Sequence, residues 1–209
     1  MKQVYETSVA IPDGIKCKFS GILLECSKGN TQLSKIFETP GLILSIDEKE
    51  ILIKCNKSNR KSLANAHSYV SHIKNMFQGL KERFVYEMEI CNVHFPMTVK
   101  IEKDKIVITN FLGEKVPRSA NILPGVEVKI EGNKIKVSSA DVEKAGQTAA
   151  NIEKASAVTN KDRRIFQDGC FITKKPGVNI WKFYKNFQQQ KLSSDKFLSI
   201  SSPLARLRS

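Results

Sequence analysis

The sequence predicts an α+β protein built from two tandem copies of a small antiparallel sheet covered by one helix, followed by a basic C-terminal extension. Three observations predict it. Short runs alternate apolar and polar residues and are separated by breaks rich in Gly, Asn and Asp. Two longer stretches change to apolar steps of three and four. The pattern of residues 9–67 also returns 84 positions later, with Val9 meeting Val93, Gly29 meeting Gly113, Pro40-Gly41 meeting Pro124-Gly125 and Ile51 meeting Ile135. A unit of that length indicates a duplicated domain rather than a solenoid array.

The elements follow in order. Ile15–Phe19, Ile22–Cys26, Leu42–Ile46 and Ile51–Lys54 read as strands, because a period of two puts one face of a pleated ribbon on a core. Lys28-Gly29-Asn30 and Asp47-Glu48-Lys49 read as turns. Leu63, Ala66, Val70, Ile73, Phe77 and Leu80 then form one stripe of a helix that closes the first copy, and Gly79 is expected to cap its C-terminus. The second copy repeats the alternation at Val99 and Ile101 and at Val126, Val128, Ile130 and Val137, with a turn at Glu131-Gly132-Asn133. Its helix starts at Asp141, a suitable N-cap, with Glu143 facing the positive helix end. The stripe of Val142, Ala145, Ala149 and Ile152 is light, and with Gly146 it predicts close packing on the sheet. The expected boundaries are 1–82 for the first repeat, 83–176 for the second with its basic C-terminal segment, and 177–209 for a basic aromatic tail, disordered in the free protein.

The chain carries 34 Lys and Arg against 21 Asp and Glu, a net charge of +13. Residues 161–209 alone hold 11 basic and 3 acidic residues, whereas residues 85–160 are balanced. A concentrated excess describes a docking surface for a polyanion, or a basic adaptor module for an acidic protein partner. The five cysteines form no C-x-x-C pair and offer no four-ligand zinc site, so they read as small buried hydrophobes of a reducing compartment. The first residues lack the apolar core of a signal peptide, and no apolar run approaches the ~18 residues of a membrane span.

No catalytic set is legible. His67 and His72 lie five apart on one helix, which suits no metal pair, and His94 sits beside Phe95-Pro96. There is no nucleophile elbow, phosphate loop or dinucleotide fingerprint. The chain is therefore expected to be no enzyme, to need no cofactor or metal, and to bind no small-molecule substrate or membrane. Four basic groups are the candidate binding residues. Asn59, Arg60 and Lys61 stand at the start of the first helix, where free amides and cations suit phosphate. Lys115 and Arg118 lie in the loop Asn110–Ser119, which Gly113 and Pro117 define. Lys161, Arg163 and Arg164 follow the second helix, and Lys174 and Lys175 lie beyond Phe166–Phe171, whose aromatics would anchor the segment.

Several of these words are familiar together. Asn110-Phe-Leu-Gly-Glu-Lys-Val-Pro-Arg118, Ile122-Leu-Pro-Gly-Val126, Gly146-Gln-Thr-Ala-Ala-Asn-Ile-Glu153 and Phe166-Gln-Asp-Gly169 resemble the L-six family of large-subunit ribosomal proteins, in its archaeal and eukaryotic branch. Asn59-Arg-Lys61, Asn75-Met76 with Gly79, and His94-Phe-Pro-Met97 fit the same family, and the resemblance covers about residues 1–176. It implies two similar α+β domains and a cytoplasmic, ribosomal place near the sarcin–ricin loop and stalk base. The implied partners are large-subunit ribosomal RNA and the neighbouring proteins of the stalk base. It also implies RNA contacts from the Lys115–Arg118 loop and the Lys161–Lys175 stretch. Cys170 stands where the family more often has a larger apolar residue. The stretch Asn179–Ser209 has no counterpart there, and its Trp181, Phe183, Tyr184, Phe187 and Phe197 alternate with cations as in stacking RNA binders.

Overall fold

The computed structural model describes residues 5–39, 42–47, 50–55, 59–162 and 165–179. The expected turns at Pro40-Gly41 and Glu48-Lys49, the candidates Arg163 and Arg164, and the aromatic residues of the tail lie outside the described residues.

The chain runs β1 (Tyr5–Ala10), β2 (Lys16–Ser20), β3 (Leu23–Lys28), β4 (Thr31–Ile36), β5 (Leu42–Ile46), β6 (Glu50–Cys55) and α1 (Arg60–Lys81). It continues with β7 (Phe84–Cys91), β8 (Thr98–Glu102), β9 (Lys105–Thr109), a single 3-10 turn at Phe111–Gly113, β10 (Arg118–Asn121), β11 (Glu127–Glu131), β12 (Lys134–Ser139) and α2 (Val142–Ala155). The last strands are β13 (Gly169–Lys175) and β14 (Val178–Asn179). The α+β class with antiparallel sheets is as the alternation predicts.

The duplication is visible in the sheet order. In the first half β1-β6-β5 and β2-β3-β4 form two three-stranded sheets; in the second, β7-β12-β11 and β8-β9-β10 repeat both orders. Among the described residues, the second half alone extends the sheet that matches β1-β6-β5, with β13 and β14 added beside β7. Each helix covers its own apolar cluster. Leu24, Cys26, Ile51, Ile53, Ala66 and Ile73 centre the first, and Met88, Ile106, Ile108, Ile135, Val137 and Ile152 the second. The light stripe of α2 works as expected: a Cβ on Gly146 would sit 2.8 Å from the Tyr86 hydroxyl, so small residues bring helix and sheet together.

The single register of 84 does not hold along the copy. Val9 stands opposite Ile51 and Met88 opposite Ile135, so the counterpart of Val9 is Met88, an offset of 79, and exposed Val93 is a chance match. The hairpin that closes at Ser20 and Leu23 recurs at Glu102 and Lys105, an offset of 82, which aligns buried Leu24 with Ile106 and Cys26 with Ile108. The β5–β6 hairpin keeps 84, with Ile46 facing Ile51 and Ile130 facing Ile135. The helix caps Asn59 and Asp141 return to 82. Turns change length while facing pairs are preserved, because only the pairs fill the core.

A second correction concerns Gly79. It lies inside α1, whose C-cap is the extended Glu82. Its role is close approach: a Cβ there would lie 1.9 Å from the Ala140 carbonyl oxygen, just before α2. The two halves meet at this point. Lys35 of β4 pairs with Glu143 at the start of α2 and lies 2.9 Å from His72 Nδ1 of α1, and His72 is 3.2 Å from the same carboxylate.

No helix among the described residues is long and apolar enough to cross a membrane, and no cluster of His, Cys, Asp and Glu among them is placed to hold a metal ion. The cysteines form no disulfide; Cys26, Cys55 and Cys170 are buried and Cys17 and Cys91 half-buried.

Candidate nucleic-acid interface

The largest local difference between the two halves is one connection. The β3–β4 hairpin turns through Gly29 and Asn30 alone, because Lys28 already faces Thr31. Its counterpart between β9 and β10 spans residues 110–117. This connection is built rather than slack. Phe111 is buried beneath it, and Asn110 Nδ2 donates to the Pro96 carbonyl at 2.9 Å. Asn110, Leu112 and Gly113 all hold left-handed backbone, at φ 60, 49 and 79.

Arg118 closes the connection from below. Its Nε and Nη2 donate to the two Glu114 carboxylate oxygens at 2.8 and 2.6 Å. Its Nη1 donates to the carbonyls of Ala155, the last residue of α2, and of Ala157 just after it, at 3.1 and 2.9 Å. The guanidinium also lies 4.2 Å from the Phe111 ring centroid. These contacts use the planar fork to tie the loop to the end of a helix. The hydrogen bond from Arg118 holds the Glu114 carboxyl below its usual range, and the field of Lys161 adds to the effect. Lys115 is left exposed at the tip.

Lys161 joins the same end of the molecule. Its Nζ lies 4.7 Å from the Phe166 ring, and that ring packs on His94 at 5.1 Å. Beneath them Asp168 is nearly solvent-free, yet its Oδ1 accepts from the backbone N–H of Val93 at 2.7 Å and of His94 at 3.0 Å, and Oδ2 faces His94 Nδ1 at 2.9 Å. Burial pushes the Asp168 carboxyl up, and the bonds from His94 and Val93 outweigh it, so the net shift is downward. The segment after α2 is thus fixed by Asp168 and by buried Cys170, whose N–H donates to Ser156 Oγ at 2.9 Å. The aromatics anchor it less than the sequence suggests, because Phe166 is only half-buried and Phe171 is exposed.

The structure brings Lys115, Arg118 and Lys161 together at the C-terminal end of α2. The other described candidates lie elsewhere. Lys174 faces Glu87 across β13 and β7, with Nζ 3.1 Å from the carboxylate. Lys175 follows it, about six residues and so roughly 20 Å along β13 from the Asp168 end. Asn59, Arg60 and Lys61 are exposed at the start of α1, roughly 30 Å along that helix from Gly79. The Asn59 side chain makes no capping bond, and the first turn holds no acidic residue. Among the described residues no side chain caps the positive end of α1, whereas Asp141 caps α2 by accepting from Glu143 N–H at 2.9 Å.

Residues that carry no charge complete the surface. Val116 in the 110–117 connection, Phe95 against its Gly113, and Ile165 after α2 are exposed. Charge counting passes over them; their signal is the excess of apolar residues in a segment otherwise made of turn residues.

The profile of the Ribosomal protein L6 family matches residues 95–169, which span this connection, α2 and the Asp168 anchor. Over 168 residues the chain is 39% identical to the large ribosomal subunit protein uL6 of Methanocella arvoryzae, covering 80% of this chain and 95% of the relative. It is 38% identical over 166 residues to the uL6 protein of Haloarcula marismortui, covering 79% and 93%.

Proposed function

This chain belongs to the ribosomal protein L6 family, and on that premise we propose that its second half docks on ribosomal RNA near the sarcin–ricin loop and the stalk base. It is a structural constituent of the large ribosomal subunit and not an enzyme. The observation that carries the proposal is the clamped 110–117 connection. Arg118 is consumed in holding it, and Lys115 and Lys161 are thereby displayed at fixed positions where phosphates can reach them. Arg163 and Arg164 follow Lys161 in sequence after the single acid Asp162 and add to the same basic segment.

Lys174 and Lys175 form a second, lesser contact along the sheet, and Asn59, Arg60 and Lys61 a third at the start of α1. Arg118 takes its part by ordering the loop. The RNA-bound protein works in the cytoplasmic ribosome beside the other proteins of the stalk base. Its halves are two α+β units, 1–82 and 83–176, with 177–209 as an appended tail.

Binding of this kind is salt-dependent, since each neutralised phosphate releases counterion. Changing Lys115, Lys161, Arg163, Arg164, Lys174 and Lys175 to Gln together is expected to weaken binding to large-subunit ribosomal RNA. It should also flatten the slope of log affinity against log salt by about one for each phosphate that is no longer neutralised. A variant with the parent's midpoint and slope would place the RNA-binding face elsewhere on the molecule. A basic adaptor for an acidic protein would instead bind structured RNA weakly before and after the change.

A further inference from the structure

The 110–117 connection spends more than a turn needs. Asn110 and Leu112 are not glycines, and Leu112 in particular gains nothing from left-handed backbone. Left-handed backbone at a residue such as Leu112 is costly and persists only where its surroundings over-determine it. Here the surroundings are a buried Phe111, the Asn110 bond to Pro96 and the Arg118 clamp. The first half makes the equivalent turn with Gly29 and Asn30.

What this apparatus displays is largely apolar. Val116 is 76% exposed, Ile165 60% and Phe95 45%. Phe95 is not a loose ring: it lies against the loop, so that a Cβ on Gly113 would stand 3.7 Å from it. Its neighbour His94 is fixed to Asp168 and packed on Phe166. Lys115 precedes Val116 in the same loop, and Lys161 lies on the Phe166 ring that packs against His94, with its field reaching Glu114. A solvated basic end does not need exposed apolar groups held this firmly.

We propose that Phe95 and Val116 form a platform on which an unpaired base of ribosomal RNA stacks, with Lys115 and Lys161 on the flanking phosphates. The inference rests on the RNA-binding reading above and goes beyond it by naming the kind of RNA: a loop, bulge or end rather than a continuous helix. A paired A-form helix presents phosphates and sugar edges, which satisfy lysines but leave Phe95 and Val116 in water. An unpaired base presents a π-face that an aromatic ring accepts whatever its sequence, and its own backbone carries the charge the lysines need. An acidic protein surface would match the lysines and leave the ring without a partner.

The test uses the full-length protein and two RNAs: a hairpin whose loop is a run of unpaired adenines containing 2-aminopurine, and a blunt duplex of the same stem. Phe95→Ala is expected to weaken hairpin binding about tenfold and to abolish the change in 2-aminopurine fluorescence, leaving duplex binding and the salt slope as in the parent. Phe95→Trp should restore the hairpin affinity. Thermal melting checks that each variant folds, and Val116→Ser, at a still more exposed position, gives a weaker effect of the same sign. Parent-like hairpin binding by both Phe95→Ala and Val116→Ser overturns the platform. If Lys115→Gln with Lys161→Gln still weakens both RNAs in that case, the RNA-binding reading stands and only the stacking fails. If neither set of changes alters either RNA, both fail. Normal hairpin binding by Phe95→Ala joined to poor incorporation into large subunits assigns the apolar surface to a neighbouring protein and overturns the proposal.

Discussion

Asp168 shows how one buried side chain can hold a surface in place. Its carboxylate receives two backbone N–H groups and faces an imidazole nitrogen, all from residues 93–94, which are distant in sequence. Removing it takes away the partner of two part-buried N–H groups, and an unsatisfied buried donor costs about 1–3 kcal/mol. Asp168→Ala is therefore expected to destabilise the protein by about 1–2 kcal/mol in urea melts near neutral pH. The folded carboxyl titrates below its unfolded value, so this contribution is present above the unfolded Asp range and is lost as pH falls through the lower, folded one. The gap between parent and Asp168→Ala should narrow on acidification. A gap that stays constant from neutral to strongly acid pH would show that the charge of Asp168 contributes nothing.

At the scale of elements, the 110–117 connection depends on Arg118 as a shaped group rather than as a charge. Lysine cannot form the paired bonds to Glu114, reach two carbonyls and lie on Phe111 at once. Arg118→Lys is expected to raise amide hydrogen exchange in residues 112–117 by an order of magnitude or more while β9 and α2 keep their protection. Unchanged exchange in the loop would mean that Phe111 and Asn110 hold it unaided. The same element shows what the sequence could reveal. Alternation and the three-four stripe locate both helices and about half of the strands, because burial on one face writes itself directly into residue order; β1, β4, β7, β10 and β13 are not among those read as strands. The offset of the duplication is not readable that way, because turns of unequal length shift the numbering while Val9 and Met88 keep equivalent partners. Basic residues are visible in the sequence, but their use is not. Arg118 and Lys174 are each paired with a carboxylate that only folding brings near, Glu114 by a tight loop and Glu87 by a strand pairing. Phe95 and Val116, which carry no charge, become conspicuous only when their exposure is known.

Across the whole molecule, the close approach of Gly79 to Ala140 is a tight contact between the described parts of the two halves. An alanine inside a helix normally gains about 1 kcal/mol over glycine. At Gly79 the gain is reversed, because the group it would strike is the Ala140 carbonyl, a backbone atom that cannot swing aside. Gly79→Ala is expected to cost about 1–3 kcal/mol net and to lower the melting temperature by several degrees. A rise in melting temperature would show that the junction has room to spare. The nearby Lys35, His72 and Glu143 cluster joins β4, α1 and α2, and would be disturbed by the same displacement.

The junction also fixes a separation. The start of α1 and the 110–117 connection both lie away from it, one at the far end of each helix. A nucleic acid held at one of them meets the other at a set distance, so the second encounter is intramolecular and is governed by an effective concentration rather than by diffusion. On the RNA-binding reading proposed above, with both places in contact, the protein would act as a rigid bivalent clamp whose avidity depends on a glycine that touches no ligand. Gly79→Ala removes no cation, and its signature would be a lower RNA affinity with an unaltered salt slope.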